Sequence, residues 1–313
     1  MLILSDKDIK KVFTMKDAIC TNKETFIILS EGKSNDLVRA SIQSESGNGT
    51  FSFMPYYLDG LECSSFKLST DPHQLLLIDG RTGLIIAILD GKYLTQLYMG
   101  ASTGAALDIL ARKNSKKGAL VGANEQSIFQ LEAMIEVCNL EEIRIYDLDL
   151  GKAKKLENIM KKRLKPYSVK VTRVYTVDES LKDADVIVIE DSPQKWRFNI
   201  NKVKKGSTII HTGYIDKSES ITYDKVSKIY FNSKESIPRK SRLNLRPNIS
   251  GEIGSVLLGK IAGRENDDEI IVYESINMGL LDLMTARTVY VRAKQEGVGD
   301  KWDDLGNTSR HLS

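Results

Sequence analysis

Residues 118–149, GALVGANEQSIFQLEAMIEVCNLEEIRIYDLD, carry the spacing from which a nucleotide site is built. An apolar run, Ala119-Leu120-Val121, meets Gly122; helix-period residues follow from Gln126; a second β-rich run, Ile143-Arg144-Ile145-Tyr146, closes on Asp147. Strand, glycine turn, helix, strand and terminal acid is the order a dinucleotide requires. The turn and the helix N-terminus bring backbone N–H groups to a pyrophosphate, and the acid accepts hydrogen bonds from the adenosine ribose. The candidate cofactor-binding residues are therefore Gly122, Ala123, Asn124, Glu125, Gln126 and Asp147. Two of them break the G-x-G-x-x-G fingerprint. Asn124 replaces the second glycine, and asparagine's tolerance of positive φ can preserve a tight turn there. Glu125 brings a negative charge, which favours the helix macrodipole if it faces solvent and opposes a phosphate if it faces inward.

The elements that must position this stretch are legible on either side of it. Residues 1–33 read as a short strand, Leu2-Ile3-Leu4, then a cap at Ser5 or Asp6 and one or two helices reaching Glu31. Residues 37–90 are strand-rich, with GNG at 47–49 and DGRTG at 79–83 as turn signals. A helix over about 94–111 follows, its small residues (Gly100, Ala101, Gly104, Ala105, Ala106) allowing close approach of another backbone. Beyond the basic connector KNSKKG, strand candidates recur at 119–122, 143–147, 169–174, 186–190, 207–211, 228–231 and 270–273. Their alternation with helical stretches predicts a parallel sheet with right-handed crossovers. Residues 276–296 form a last amphipathic helix, and the polar stretch after it is expected to fray.

Bulk properties narrow the function class. At 313 residues, with 41% hydrophobic and 28% charged residues, the chain has the composition of a soluble globular protein of one large or two ordinary domains. A net charge of +3 argues against nucleic acid or an anionic membrane as partner. The basic helix from Gly151 to Lys165 has no aromatic interleaving and reads as a solvated face. Three scattered cysteines and three dispersed histidines give neither a disulfide framework nor a metal site. No run approaches the roughly 18 apolar residues of a membrane span, and the N-terminus lacks a signal-peptide core. A cytoplasmic location is expected.

The succession of RAS at 39–41, MPYY at 54–57, FK at 66–67, the stretch at 75–95 and GASTGAALDILAR resembles the ornithine cyclodeaminase/μ-crystallin family. VGANEQSIFQ is similar to that family's phosphate turn, and GEIGSVLLGKIAGREND with MGLLDLMTARTVYVRAKQEGVG to its C-terminal signature. The resemblance implies an α/β fold: a Rossmann-type parallel-sheet domain, 116–274, inserted into a strand-rich α+β substrate and dimerisation domain, 1–115 plus 275–313, with the active site in the cleft. It implies a homodimer that uses NAD and acts at the α C–N bond of a small amino or imino acid, as a dehydrogenase, an imine reductase or a cyclodeaminase. The alternative it leaves open is a catalytically degenerate, μ-crystallin-like protein that binds a nucleotide or small ligand.

The same resemblance supplies roles. Arg39 stands where the family holds the substrate carboxylate, a task suited to the planar guanidinium fork. Lys67 aligns with the lysine at the carboxylate or carbonyl side; buried beside Arg39 it would have a depressed pKa and could carry a proton to the substrate nitrogen. Met54, beside Pro55, shapes a pocket wall. Ser52 stands where cyclodeaminases carry an acid for a distal amine, which points away from ornithine. Tyr98 occupies the place of a second carboxylate-binding arginine, and the segment from Lys67 to Leu75 is shorter than the family's pocket loop. Asp216 is the candidate for the catalytic aspartate. Asp147, in YDLD, matches the NAD-using members, and an acid there repels the 2′-phosphate of NADP.

Overall fold

In the computed structural model of the chain the described residues are 1–33, 40–43, 50–58, 60–68, 73–190, 199–212, 224–234, 248–276 and 278–302, with backbone alone for 40–43 and 50–54. The chain opens with β1 (Leu2–Leu4), α1 (Asp6–Val12) and α2 (Met15–Ser30). Five strands follow: β2 (Ala40–Gln43), β3 (Thr50–Leu58), β4 (Cys63–Leu68), β5 (Gln74–Asp79) and β6 (Ile85–Asp90). After α3 (Gly91–Leu110) come β7 (Lys117–Val121), α4 (Ser127–Val137), β8 (Glu142–Tyr146), α5 (Leu150–Arg163), β9 (Lys170–Arg173) and α6 (Val177–Leu181). The series continues with β10 (Val186–Ile189), β11 (Thr208–Thr212), β12 (Lys228–Phe231), β13 (Ile249–Glu252), α7 (Ile253–Leu257) and β14 (Ile271–Ser275), and ends with α8 (Gly279–Glu296) and β15 (Asp300–Lys301). Two compact units contain these elements, Met1–Tyr98 with Met278–Ser313 and Met99–Asn277, so the division falls inside α3.

In the first unit, Ser5 and Thr14 each close a capping box, with Asp8 and Asp17 as the reciprocal acids. Each such cap stabilises its helix by about 1 kcal/mol. The sheet has the order β15-β1-β6-β5-β4-β3-β2, antiparallel from β6 to β2. Period-two alternation turns Cys63, Ser65 and Lys67 of β4 to the buried face, where α8 packs on β3, β4 and β5 and against α1 and α2. The expectation of a frayed stretch after α8 is corrected at 300–301: Asp300 and Lys301 pair with Ile3 and Leu2 as β15. Main-chain pairing makes no demand on the polarity of those side chains, so composition could not show it.

Arg292 of α8 reaches the Asp17 carboxylate of α2 at 2.8 and 2.9 Å. The Arg292 hydrogen bond, aided by Thr14 and opposed by burial, draws the Asp17 pKa from an ordinary 3.8 to about 2. Because the folded-state value is depressed, the stability this pair contributes is complete above the unfolded pKa and is lost as pH falls from about 4 to about 2. Asp17→Asn is expected to lack that part of the acid-unfolding profile, as an acid titration followed by near-UV circular dichroism would read.

The second unit is an eight-stranded, wholly parallel sheet of order β13-β12-β14-β11-β10-β7-β8-β9. Its central strands are buried on both faces, β10 (VIVI) and β11 (TIIHT) throughout. Ile187, Ile189, Ile209, Ile229 and Val272 anchor one core layer. The short β13, ISGE, was absent from the sequence's strand candidates: its only apolar residue is Ile249, and it is held by main-chain pairing with β12. The chain runs outward from β7 to β8 and β9, then returns to β10 on the other side of β7. That reversal is the switch point at which open parallel sheets bind ligands, at the carboxyl ends of the strands. Gly100 permits α3 and α4 to touch: a Cβ there would stand 2.6 Å from the carbonyl oxygen of Phe129.

Candidate functional site

Unit two places Gly122 directly after β7, at the switch point, with φ +98, a conformation open to glycine and strained for other residues. Its N–H donates to the Tyr146 carbonyl at 2.8 Å, tying the turn to the end of β8. Asp147 follows that strand, buried, and its two oxygens accept the N–H groups of Ala123 at 2.6 Å and Asp149 at 2.7 Å. A carboxylate has about four acceptor positions, so these two bonds do not exhaust either oxygen.

Asn124 is not in the positive-φ region, so losing the second glycine strains nothing. Its side-chain oxygen accepts the Ser127 N–H at 3.1 Å, and the Ser127 hydroxyl accepts the Asn124 N–H at 3.0 Å. The asparagine thus caps the start of α4. Glu125 is exposed, and Gln126 is half-buried in helical conformation. A glycine turn at the switch point, a helix N-terminus beyond it and an acid at the end of the second strand fit the pyrophosphate and adenosine ribose of a dinucleotide.

The carboxyl ends of the next strands are lined by buried polar groups that sequence reading did not single out. Thr212, at the end of β11, donates to Glu190, which follows β10, at 2.9 Å. His211 Nδ1 and Glu274 Oε2 lie 2.7 Å apart, and the Ser102 hydroxyl is within 3.1 Å of both Tyr273 and Ser275.

Unit one contains the other candidates. Lys67 lies on β4, opposite Met54 of β3 and Leu75 of β5. It is 2% exposed, and its ammonium meets the Asp282 carboxylate of α8 at 2.9 and 3.1 Å. It also donates to the Tyr98 hydroxyl at 3.0 Å and to Thr95 at 3.5 Å, both on α3. Tyr98 and Asp282 are fully buried. The expectation of a depressed Lys67 pKa is corrected. Burial does favour the neutral amine, but the Asp282 carboxylate and then Tyr98 outweigh it and hold Lys67 above its ordinary value. Burial also raises the Asp282 carboxyl, against the pull of Lys67, and raises the Tyr98 phenol.

Asp282 was missed by sequence reading, and the signal was present: Leu280-Leu281-Asp282-Leu283-Met284 is apolar all round the helix apart from one acid, and an acid buried there needs a cation. Tyr98, in the arginine's place, is a buried partner of Lys67. Arg39 and Asp216 lie outside the described residues, as do the side chains of Ser52 and Met54. Among the described residues no group of histidines, cysteines and acids could hold a metal ion, and no helix is long and apolar enough to cross a membrane.

Known proteins resemble this chain in sequence and fold. The chain is 27% identical to a Delta(1)-pyrroline-2-carboxylate reductase of Bacillus cereus, over 96% of this chain and 99% of that one. The solved Thermococcus litoralis Delta(1)-pyrroline-2-carboxylate reductase, in complex with NADH and L-proline, superposes with a TM-score of 0.86 at 27% identity, covering 96% of this chain and 100% of that one. An archaeal alanine dehydrogenase dimer with bound NAD gives a TM-score of 0.83 at 25% identity, over 97% and 99%. The family model for ornithine cyclodeaminase/mu-crystallin matches residues 1–297. A Rossmann-type sheet, a second mixed sheet and that match place this chain in the ornithine cyclodeaminase/mu-crystallin family.

Proposed function

We propose that the chain is an NAD-dependent oxidoreductase acting at the α C–N bond of a small amino or imino acid. The observation that carries this reading is the turn at Gly122 with the Asp147 carboxylate held against it. The similar reductase solved with NADH and L-proline and the alanine dehydrogenase with NAD support it. Gly122, Ala123 and the start of α4 would receive the pyrophosphate, and Asp147 the adenosine ribose, its charge disfavouring a 2′-phosphate. When bound, the nicotinamide supplies or accepts the hydride.

Lys67 is held on one side by Asp282 and Tyr98, and its weakest hydrogen bond, 3.5 Å, points to half-buried Thr95. A substrate carboxylate approaching on that side can take this N–H without breaking the ion pair. Arg39 is the second carboxylate ligand in this reading, Met54 part of the pocket wall and Asp216 the proton carrier. The dimer seen for the alanine dehydrogenase supports a homodimer, and three free cysteines support a cytoplasmic location.

A second reading, a ligand-binding protein without catalysis, is favoured by Tyr98, which occupies the expected arginine's place and itself consumes an N–H of Lys67. Fluorescence titration with NADH and NADPH, followed by turnover of cyclic imino acids and of pyruvate with ammonia, separates the two. Saturable NADH binding, weaker NADPH binding and NADH oxidation with one of these substrates are expected. Binding without turnover of any substrate would establish the second reading, and no NADH binding would sink the first.

A further inference from the structure

The ammonium of Lys67 has three N–H groups. Asp282 and Tyr98, both sealed from solvent, accept from two of them, and the remaining one is directed at Thr95. A lysine buried on an apolar face tends to lose its proton, and an uncharged amine among three acceptors would be free to turn and to exchange protons with the substrate. The carboxylate on α8 removes both freedoms. We propose that Asp282 is a positioning residue for Lys67: it keeps the ammonium charged and aimed, so that Lys67 is a fixed anchor for the substrate carboxylate and not the proton carrier of the reaction.

This inference rests on the reading that Lys67 meets the substrate carboxylate, and it leaves proton transfer at the substrate nitrogen to another group. Among the described residues the titratable groups acting on the pair are Tyr98, from α3, and His73, just before β5, which favours the charged form of Asp282. Thr95 does not titrate. His73 acts on Asp282 only through space and cannot replace a carboxylate in direct contact with Lys67.

The nitrogen-15 resonance of the Lys67 side chain, in the full chain labelled with nitrogen-15 lysine and assigned by its loss in Lys67→Met, reads the charge without requiring turnover. It is expected to keep the ammonium shift to about pH 10 in the native protein and to titrate at lower pH in Asp282→Asn. Where there is turnover, kcat/KM of Asp282→Asn should gain an alkaline limb that follows that titration. Tyr98→Phe, which retains the ion pair, should raise KM about three- to tenfold with no new limb. A native Lys67 that titrates below about pH 9, or an Asp282→Asn protein whose Lys67 titrates as before, overturns the proposal. Should Asp282→Asn fail to fold, the native titration and the Tyr98→Phe profile still decide it. NADH-dependent turnover with a titrating Lys67 would sink this inference and leave the function standing. A fixed Lys67 cation in a chain that binds no NADH would sink the function and the anchor role with it.

Discussion

Asp282→Ala is expected to destabilise the protein by about 3–5 kcal/mol, the cost of leaving a buried charge without its partner. The Lys67 side chain is buried on β4, so the ammonium left behind by the truncation is largely desolvated and without its counter-charge. A chain with a stability of about 5–15 kcal/mol would lose a large fraction of it. Replacing the whole network, Lys67→Met with Tyr98→Phe and Asp282→Leu, should recover most of the loss. The penalty belongs to the unpaired charge and not to the absence of an ion pair, and hydrophobic side chains of similar volume commonly substitute for such a pair at little cost. Equilibrium urea unfolding of the single and triple variants checks both halves. An Asp282→Ala protein within about 1 kcal/mol of the native one would show that water or a neighbour reaches Lys67. A triple variant no better than the single would show that the network shapes the fold beyond its charges.

Asp147→Ala is expected to weaken NADH binding by about 1.5–3 kcal/mol, the worth of a charge-assisted hydrogen bond from the ribose. That corresponds to a factor of roughly 10–150 in Kd, before any further loss from loosening the turn at Ala123. Asp147 acts twice in this reading: it holds the Ala123 N–H at 2.6 Å, shaping the turn, and it faces the ribose with its remaining acceptor positions. Asp147→Asn keeps one acceptor oxygen and should fall between the native protein and the alanine variant. Fluorescence titration with NADH reads all three. Native-like affinity in Asp147→Ala would mean that the acid serves only the turn and that the adenosine ribose lies elsewhere.

The stretch from Ala119 to Asp147 was readable because its signals are local. Apolar period, a turn glycine and a strand-end acid lie within about thirty residues of one another, and each is imposed by backbone geometry rather than by distant contacts. The parallel sheet followed from the recurrence of apolar runs with helices between them. The first unit's strands followed from alternation, but alternation with Phe66 and Leu68 would turn Lys67 to solvent, and only the fold shows it on the buried face of β4. Within the turn, Asn124 and Glu125 were visible as departures, yet their orientations were not: a side chain's direction at a helix start depends on what it can cap, and Asn124 found Ser127.

By itself, then, the sequence determined the two kinds of sheet, the glycine turn after β7 with the acid after β8, and the family, since each of these is written in short-range periodicity or in ordered runs of residues. What only the tertiary structure decided is the state of Lys67. Its carboxylate partner lies 215 residues further along the chain, on α8, and its phenol partner 31 residues along, on α3. No periodicity relates β4 to those two helices. Packing of α8 on β4 and the exclusion of water bring an acid and a lysine to 2.9 Å, and that contact reverses the direction in which burial alone would move the lysine.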